Sequence, residues 1–246
     1  MKTRIITTAV IKGGTGKTST AAAIAQAAVK DGKTALVIDL DPQANLSFCL
    51  GADLNTAGSY QLLNGATPQE AIQQTPQGIF CSIGSPNLAE EKTTPASALR
   101  LKNILEPIKS KFDFIIIDTP PQLGELTYNA IYASDIVLIP LEADNYSLQG
   151  FYQLINIADI LSEKIENKQE YRTVITRYDG RPNINKFYKN AIEKAGKEYG
   201  APLIGTIRKG VAVPESQAFC ASIFEDNPKS KPALDYWALY EKLKRL

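Results

Sequence analysis

Lys12-Gly13-Gly14-Thr15-Gly16-Lys17-Thr18 is the stretch that decides the fold. An apolar, β-branched run precedes it at residues 5–11. An alanine-rich stretch follows at residues 17–31 and stops at Gly32, a normal helix end. Strand, glycine-rich turn and helix in that order gather backbone N–H groups around an anion. The glycines let the chain wrap closely, and the helix adds its positive N-terminal end. Lys17 then reaches the β- and γ-phosphates of a nucleotide, and the Thr18 hydroxyl is placed to coordinate Mg²⁺. The pattern predicts a site for ATP with Mg²⁺, and hydrolysis of that ATP. Lys12 departs from the usual loop: a second cation so close to Lys17 is costly unless anions sit between the two. A triphosphate supplies those anions; a solvated surface charge is the alternative.

Outward from the turn, short β-branched runs alternate with longer helical stretches. Residues 5–11, 34–39, 114–118, 136–140, 172–176 and 203–207 read as strands, apolar on consecutive positions as in strands covered on both faces. Residues 17–31, 97–110, 147–163, 184–199 and 233–246 read as helices. Strand, crossover helix, strand is the signature of an α/β fold: a single-domain, mostly parallel twisted sheet with helices on both faces, spanning residues 1–246. Residues 45–92 are less periodic and read as peripheral helices and loops, with a further strand at 78–83. Few residues precede the first strand, so no helix-turn-helix domain is expected ahead of it.

Composition narrows the chemistry. With 44% hydrophobic and 22% charged residues, a chain of 246 can bury a substantial core without disulfides or metals. A formal net charge of +1 means that any affinity for nucleic acid must come from local clustering. The absence of histidine removes His-based acid–base chemistry and zinc ligation. Cys49, Cys81 and Cys220 lack metal-ligand spacing and read as small buried residues of a reducing compartment. The run at 5–11 is too short for a signal peptide or a membrane span, so a cytoplasmic protein is expected.

Strand C-termini in a parallel sheet gather on the edge where ligands bind. Asp39 and Asp41 close the second strand in Asp39-Leu40-Asp41-Pro42-Gln43, and Asp118 closes another in Asp118-Thr119-Pro120-Pro121. An aspartate after four apolar residues offers dry walls and one exposed anion, as a ligand of the Mg²⁺ water shell requires. Of Asp39 and Asp41, one can hold the metal's water shell while the other orients or deprotonates the attacking water. Capping of the turn at Pro42 is the alternative for either.

These motifs resemble the ParA/MinD class of deviant Walker ATPases, and ParA/Soj partition proteins best. The resemblance runs through residues 12–18, 39–43, 112–121, 126–130, 133–140 and 176–180, most of the chain, and is far more specific than a phosphate loop alone. It implies a homodimer that forms with ATP, sandwiching the nucleotides. Lys12 matches the signature lysine that reaches the partner's nucleotide. Gly13, Gly14, Thr15, Gly16 and Lys17 match the phosphate cradle, Thr18 the Mg²⁺ ligand, and Ser19 the hydroxyl that meets the α-phosphate. Asp41 matches the residue that positions the hydrolytic water, and Asp39 and Asp118 match the metal-shell acids. The family's ATP-bound dimer binds DNA without sequence preference, giving a nucleoid-associated protein. A centromere-binding ParB-type partner stimulates hydrolysis and releases it. One departure stands out: Ala212 occupies the place of a DNA-contacting arginine found in relatives. The basic residues left for that task are Arg208, Lys209, Lys186, Lys189, Lys229, Lys231, Lys242, Lys244 and Arg245.

Two other readings share the loop. MinD-like positioning on a membrane needs an amphipathic C-terminal helix with a basic face. Residues 233–246 supply Leu234, Trp237, Tyr240 or Glu241 and Leu243 or Lys244 at helical spacing, but docking of this helix onto the sheet explains the same pattern, so no membrane partner is expected. A positioning ATPase for protein cargo has nearly the same signature. An electron-transferring relative of the nitrogenase iron protein is excluded by its need for paired cluster cysteines.

Overall fold

The computed structural model describes residues 2–90, 98–162 and 169–246. Its strands are β1 (Arg4–Thr8), β2 (Ala35–Asp39), β3 (Gln73–Gln74), β4 (Phe80–Ser82), β5 (Phe114–Asp118), β6 (Ile136–Leu141), β7 (Glu170–Tyr178) and β8 (Leu203–Arg208). They form one sheet in the order β3-β4-β2-β5-β1-β6-β7-β8, parallel throughout except for the β3–β4 pair at the edge. The six strands expected from β-branched runs are all present, and the run at 78–83 forms β4. The first strand ends at Thr8, three residues early, because the chain is already turning into the glycine loop.

The helices are α1 (Lys17–Lys30), α2 (Asn45–Cys49), α3 (Ser59–Leu63), α4 (Pro68–Ala71), α5 (Arg100–Leu105), α6 (Glu125–Ala133), α7 (Asn145–Ser162), α8 (Asn183–Glu198), α9 (Ala212–Ala218), α10 (Ile223–Asp226) and α11 (Lys231–Leu243). The helix expected at 97–110 is only α5, with a separate 3₁₀ turn at Lys109–Lys111. Pro107 cannot continue it, and residue 97 lies outside the described residues. α7 starts two residues before the expected 147, because Asp144 accepts the backbone N–H of Ser147 at 2.7 Å; residue 163 lies outside the described residues. Helices α6, α9 and α10 are additional to the expected set.

The central strands are buried on both faces, which is why they read as unbroken apolar runs. The alanines of α1 let its axis approach the sheet: Ala21, Ala22, Ala23, Ala25, Ala27 and Ala28 are all buried in the same cluster as Val37, Phe114 and Ile116. α11 closes that layer. Its buried face is Tyr236, Leu239, Tyr240 and Leu243; Tyr240 and Leu243 belong to the expected stripe, Trp237 is only partly buried, and Leu234 points outward. The Tyr240 hydroxyl donates to Asp31 at 2.8 Å, and Lys244 pairs with the same carboxylate at 2.7 Å. The apolar face of the last helix is thus committed to the protein's own core. Among the described residues no helix is long and apolar enough to cross a membrane.

Truncating Leu239 to alanine leaves a cavity between α11 and β8, and is expected to lower unfolding stability by about 2–5 kcal/mol. Urea titration checks this; a midpoint unchanged from the parent would mean that α11 is not part of the cooperative core.

Candidate active site

The parallel register sets the site. Thr8 pairs with Asp118 across β1 and β5, and Asp39 pairs with Asp118 across β5 and β2, so three strand ends place two carboxylates and a hydroxyl side by side. The glycine loop rises over this edge from β1 into α1. Gly14 (φ 79°) and Gly16 (φ 85°) take the left-handed conformation that glycine adopts at no steric cost. Beneath Gly16 lies Thr176 at the end of β7: a Cβ on Gly16 would come 3.4 Å from its side chain, and its hydroxyl donates to the Thr15 carbonyl at 2.7 Å.

Lys17 opens α1 and is almost fully buried. Its ammonium donates to the Val10 and Lys12 carbonyls, each at 3.3 Å. Burial pushes its pKa below the ordinary lysine value, and the charges of Asp118 and Asp41 work against that fall. Thr18 donates to one oxygen of Asp118 at 2.7 Å, and Thr8 donates to the other at 2.7 Å. Burial, then the neighbouring charge of Asp39, pushes the Asp118 carboxyl up to about 7. Asp39, also raised by burial, to about 6, faces the other way. It accepts the Ser47 N–H at 2.9 Å, the Ser47 hydroxyl at 2.7 Å and the Asp41 N–H at 3.1 Å, and so ties α2 to the sheet. Gly84, after β4, completes this joint: a Cβ there would lie 2.5 Å from the Asp41 carbonyl oxygen and 3.0 Å from Asp39 Cγ.

The three predicted acids therefore divide. Asp118 contacts the loop hydroxyl, Asp39 anchors α2, and Asp41 lines the cavity with its carboxylate accepting the Gln43 N–H at 3.0 Å. That cavity, about 470 Å³, runs from Gly13, Lys17, Thr18 and Ser19 past Asp41 to Gln217, whose amide donates to the Ser19 hydroxyl at 3.1 Å. Lys12 does not point into it. Its ammonium sits 2.6 Å from Asp144 and 3.2 Å from the Ser147 hydroxyl, at the junction of β6 and α7. Ser47, Thr176, Asp144 and Gln217 escaped the sequence reading because each acts through a distant partner.

Loop and donors fit a nucleotide triphosphate. Two left-handed glycines and a helix start surround a cavity with one buried cation, and a hydroxyl sits against a buried acid. Among the described residues no group of three or more acidic or thiol side chains could hold a metal ion by itself. A hard cation here would take one hydroxyl, with phosphate oxygens and water making up its shell, as Mg²⁺ does.

The proposed DNA cations fare unequally. Asp235 holds Arg208 in a fork at 2.8 and 2.7 Å, Lys242 donates to the Ile204 carbonyl at 2.7 Å, and Lys244 is held by Asp31. Arg245 lies 3.6 Å from Glu241 and Lys189 lies 5.2 Å over the Tyr178 ring. Lys186, Lys209, Lys229 and Lys231 make no ion pair among the described residues. Ala212 is buried at the start of α9.

An AAA-domain family model matches residues 3–171. The chain is 32% identical to the chromosome partitioning protein ParA of Myxococcus xanthus, over 98% of this chain and 87% of that one. It is 31% identical to the sporulation initiation inhibitor protein Soj of Bacillus subtilis, over 94% of each. The chain belongs to the ParA/Soj family of deviant Walker ATPases. Among solved structures, this ParA-family chain is similar to cobyrinic acid a,c-diamide synthase from Mycobacterium smegmatis with a bound ATP analogue and magnesium: TM-score 0.83, 28% identity, 99% of this chain and 95% of that one. A second structure of that synthase holds ADP and magnesium.

Asp118→Asn keeps an acceptor oxygen for one of Thr8 and Thr18, presents an amide N–H to the other hydroxyl, and removes a buried charge. A carboxyl raised in the folded state favours folding only while protonated, so that contribution fades as pH rises from about 4 towards 7. The ligand-free variant is therefore expected to gain in melting temperature relative to the parent as pH rises from about 5 to about 8. Mg²⁺–ATP is expected to stabilise the parent and not the variant. Calorimetry at both pH values checks it; parallel curves would mean Asp118 is not strained by burial.

Proposed function

We propose that this chain is an ATP-switched partition ATPase: it dimerises on ATP, binds DNA without sequence preference at the nucleoid, and is released when a ParB-type partner stimulates hydrolysis. The observation that carries the reading is the disposition of its two loop lysines. Lys17 is buried under the loop, where it serves the phosphates of its own chain. Lys12 is turned away from the phosphate cavity onto Asp144. A second cation at the rim of a phosphate site, held there in a half-buried pair that it can exchange for another anion, suits the phosphates of a second chain.

In this reading Gly13, Gly14, Thr15 and Gly16 cradle the phosphates with their backbone, Ser19 meets the α-phosphate, and Lys17 neutralises the β- and γ-oxygens. Thr18 holds Mg²⁺, with Asp118 behind it and Asp39 in the outer shell through the α2 joint. The metal, when bound, withdraws charge from the transferring phosphoryl oxygens. Asp41 accepts a hydrogen bond from the attacking water and holds it in line. Lys12 adds charge stabilisation from the partner. The burial of α11's apolar face speaks against a membrane anchor at that end. For DNA, Lys186, Lys209, Lys229 and Lys231 are the proposed contacts, because they carry no ion pair to give up.

Binding to a random-sequence duplex is expected with ATP only and to weaken steeply between two salt concentrations, since counterions are released from each neutralised phosphate. No binding in any nucleotide state would turn the reading towards a protein-cargo ATPase. For Lys12→Ala the expectation is near-parental ATP affinity with loss of the ATP-dependent dimer in light scattering. A dimer that persists in that variant excludes a contact across the interface.

A further inference from the structure

The opposite edge of the sheet carries a second polar cavity. The register that sets Thr8 beside Asp118 at the strand C-termini also gathers the strand N-termini, with Ile6 beside Ile136 and Ile136 beside Glu170. Residues 2–5, 134–135 and 169–170 therefore meet at one edge, and Lys102 of α5 and Tyr132 of α6 close the sides. The space is about 700 Å³, against about 470 Å³ for the nucleotide cavity. A recess of about 280 Å³ beside Ser110 shares Lys2, Thr3 and Asp135 with it. That size suits a small molecule.

The charges around this cavity are unequally committed. Each acidic side chain that lines it has a resident partner: Asp135 accepts the Ile5 N–H at 2.9 Å, Glu106 pairs with Lys109 at 2.7 Å, and Glu170 pairs with Arg172. Three cations have none. Lys2, Arg4 and Lys102 make no ion pair and no side-chain hydrogen bond among the described residues, although Arg4 and Lys102 are half-buried. Cations gathered without an anion repel one another, and a half-buried guanidinium loses hydration without gaining a partner. Tyr132 adds an uncharged donor. It is 7% exposed, with its ring in the core beside Val137 and Ile139. Its hydroxyl has no hydrogen-bond partner among the described residues and is not sealed from solvent, which leaves it to the cavity. A guanidinium fork, two ammonium groups and a phenolic donor around one space match phosphate oxygens. Three cations call for more than one phosphate, and walls such as Thr3, Ser134 and Gln169 do not suit an apolar ligand.

We propose that the cavity at the N-terminal edge of the sheet is a second anion site, which binds a small molecule carrying two or more phosphates through Arg4, Lys102, Lys2 and the Tyr132 hydroxyl. It lies at the other end of β1 from the phosphate loop, so the two sites can be removed one at a time in the full chain. The probe is inorganic tripolyphosphate, titrated by calorimetry. The parent is expected to take two equivalents, one in the phosphate loop and one here. Lys17→Ala and the double variant Arg4→Gln, Lys102→Gln are each expected to take one, and the three substitutions together none. Binding at the second site is expected to fall roughly tenfold or more for each cation removed, and severalfold for Tyr132→Phe. Lys194→Gln, an exposed lysine on α8, is expected to leave it unchanged. Without ligand, the Arg4→Gln, Lys102→Gln variant is expected to melt at or above the parent, because it removes like charges that face no anion. A parent that takes a single equivalent, lost in Lys17→Ala alone, overturns the proposal. So does a double variant that binds as the parent does, or one that loses binding only because its melting temperature has collapsed. Binding of a polyglutamate peptide in place of tripolyphosphate also overturns it, and would make this edge a docking site for an acidic partner. A single equivalent that survives Lys17→Ala and disappears in the double variant supports the second site and counts against the phosphate loop instead.

Discussion

Two carboxylates buried side by side at the ends of β2 and β5 set the terms for the rest of the molecule. The parallel register that pairs Asp39 with Asp118 holds the two acids at adjacent strand ends. Both are fully buried, so their charged forms are costly, and each is compensated by donors from a different direction. Thr8 and Thr18 serve Asp118, which binds the sheet to the start of α1. Ser47 and the Asp41 N–H serve Asp39, which binds the sheet to α2. The phosphate loop and the segment carrying Asp41 are thus both hung from one electrostatic problem. A divalent cation held by Thr18 would ease it.

Around that centre the backbone takes conformations it avoids elsewhere. Among the described residues, the three non-glycines with positive φ are Ala44, Arg177 and Cys220. Ala44 precedes α2, Arg177 lines the nucleotide cavity, and Cys220 follows α9 with its thiol 3.1 Å from the Phe48 carbonyl. Such strain persists where surrounding structure over-determines it. Gln77 shows how that is done here, donating to both the Cys49 and Cys220 carbonyls, at 3.0 and 2.8 Å.

Most of the fold was legible because it rests on local pattern. Consecutive Ile115, Ile116 and Ile117 can only suit a strand covered on both faces, and an alanine-rich run after a glycine turn can only be a close-packed helix. The phosphate loop was legible for the same reason: its chemistry is contiguous. What escaped depends on residues far apart in sequence. Ser47 matters through Asp39 and Gly84, Thr176 through Thr15, Asp144 through Lys12. No spacing rule marks them. The stripe on α11 was read in part: Tyr240 and Leu243 are buried as expected, but Tyr236, an amphipathic residue that buries its ring beside Thr20, replaces Leu234 on the inner face.

The Lys12–Asp144 pair has a thermodynamic corollary. A cation already satisfied within its own chain does not form a new ion pair on meeting a second molecule; it trades one for another. Mobile ions that screen the pair being made also screen the pair being broken, so the net electrolyte dependence of such an exchange is small. Association through this lysine and association through lysines without a resident partner would therefore respond to ionic strength by different laws, within one polypeptide and at the same time.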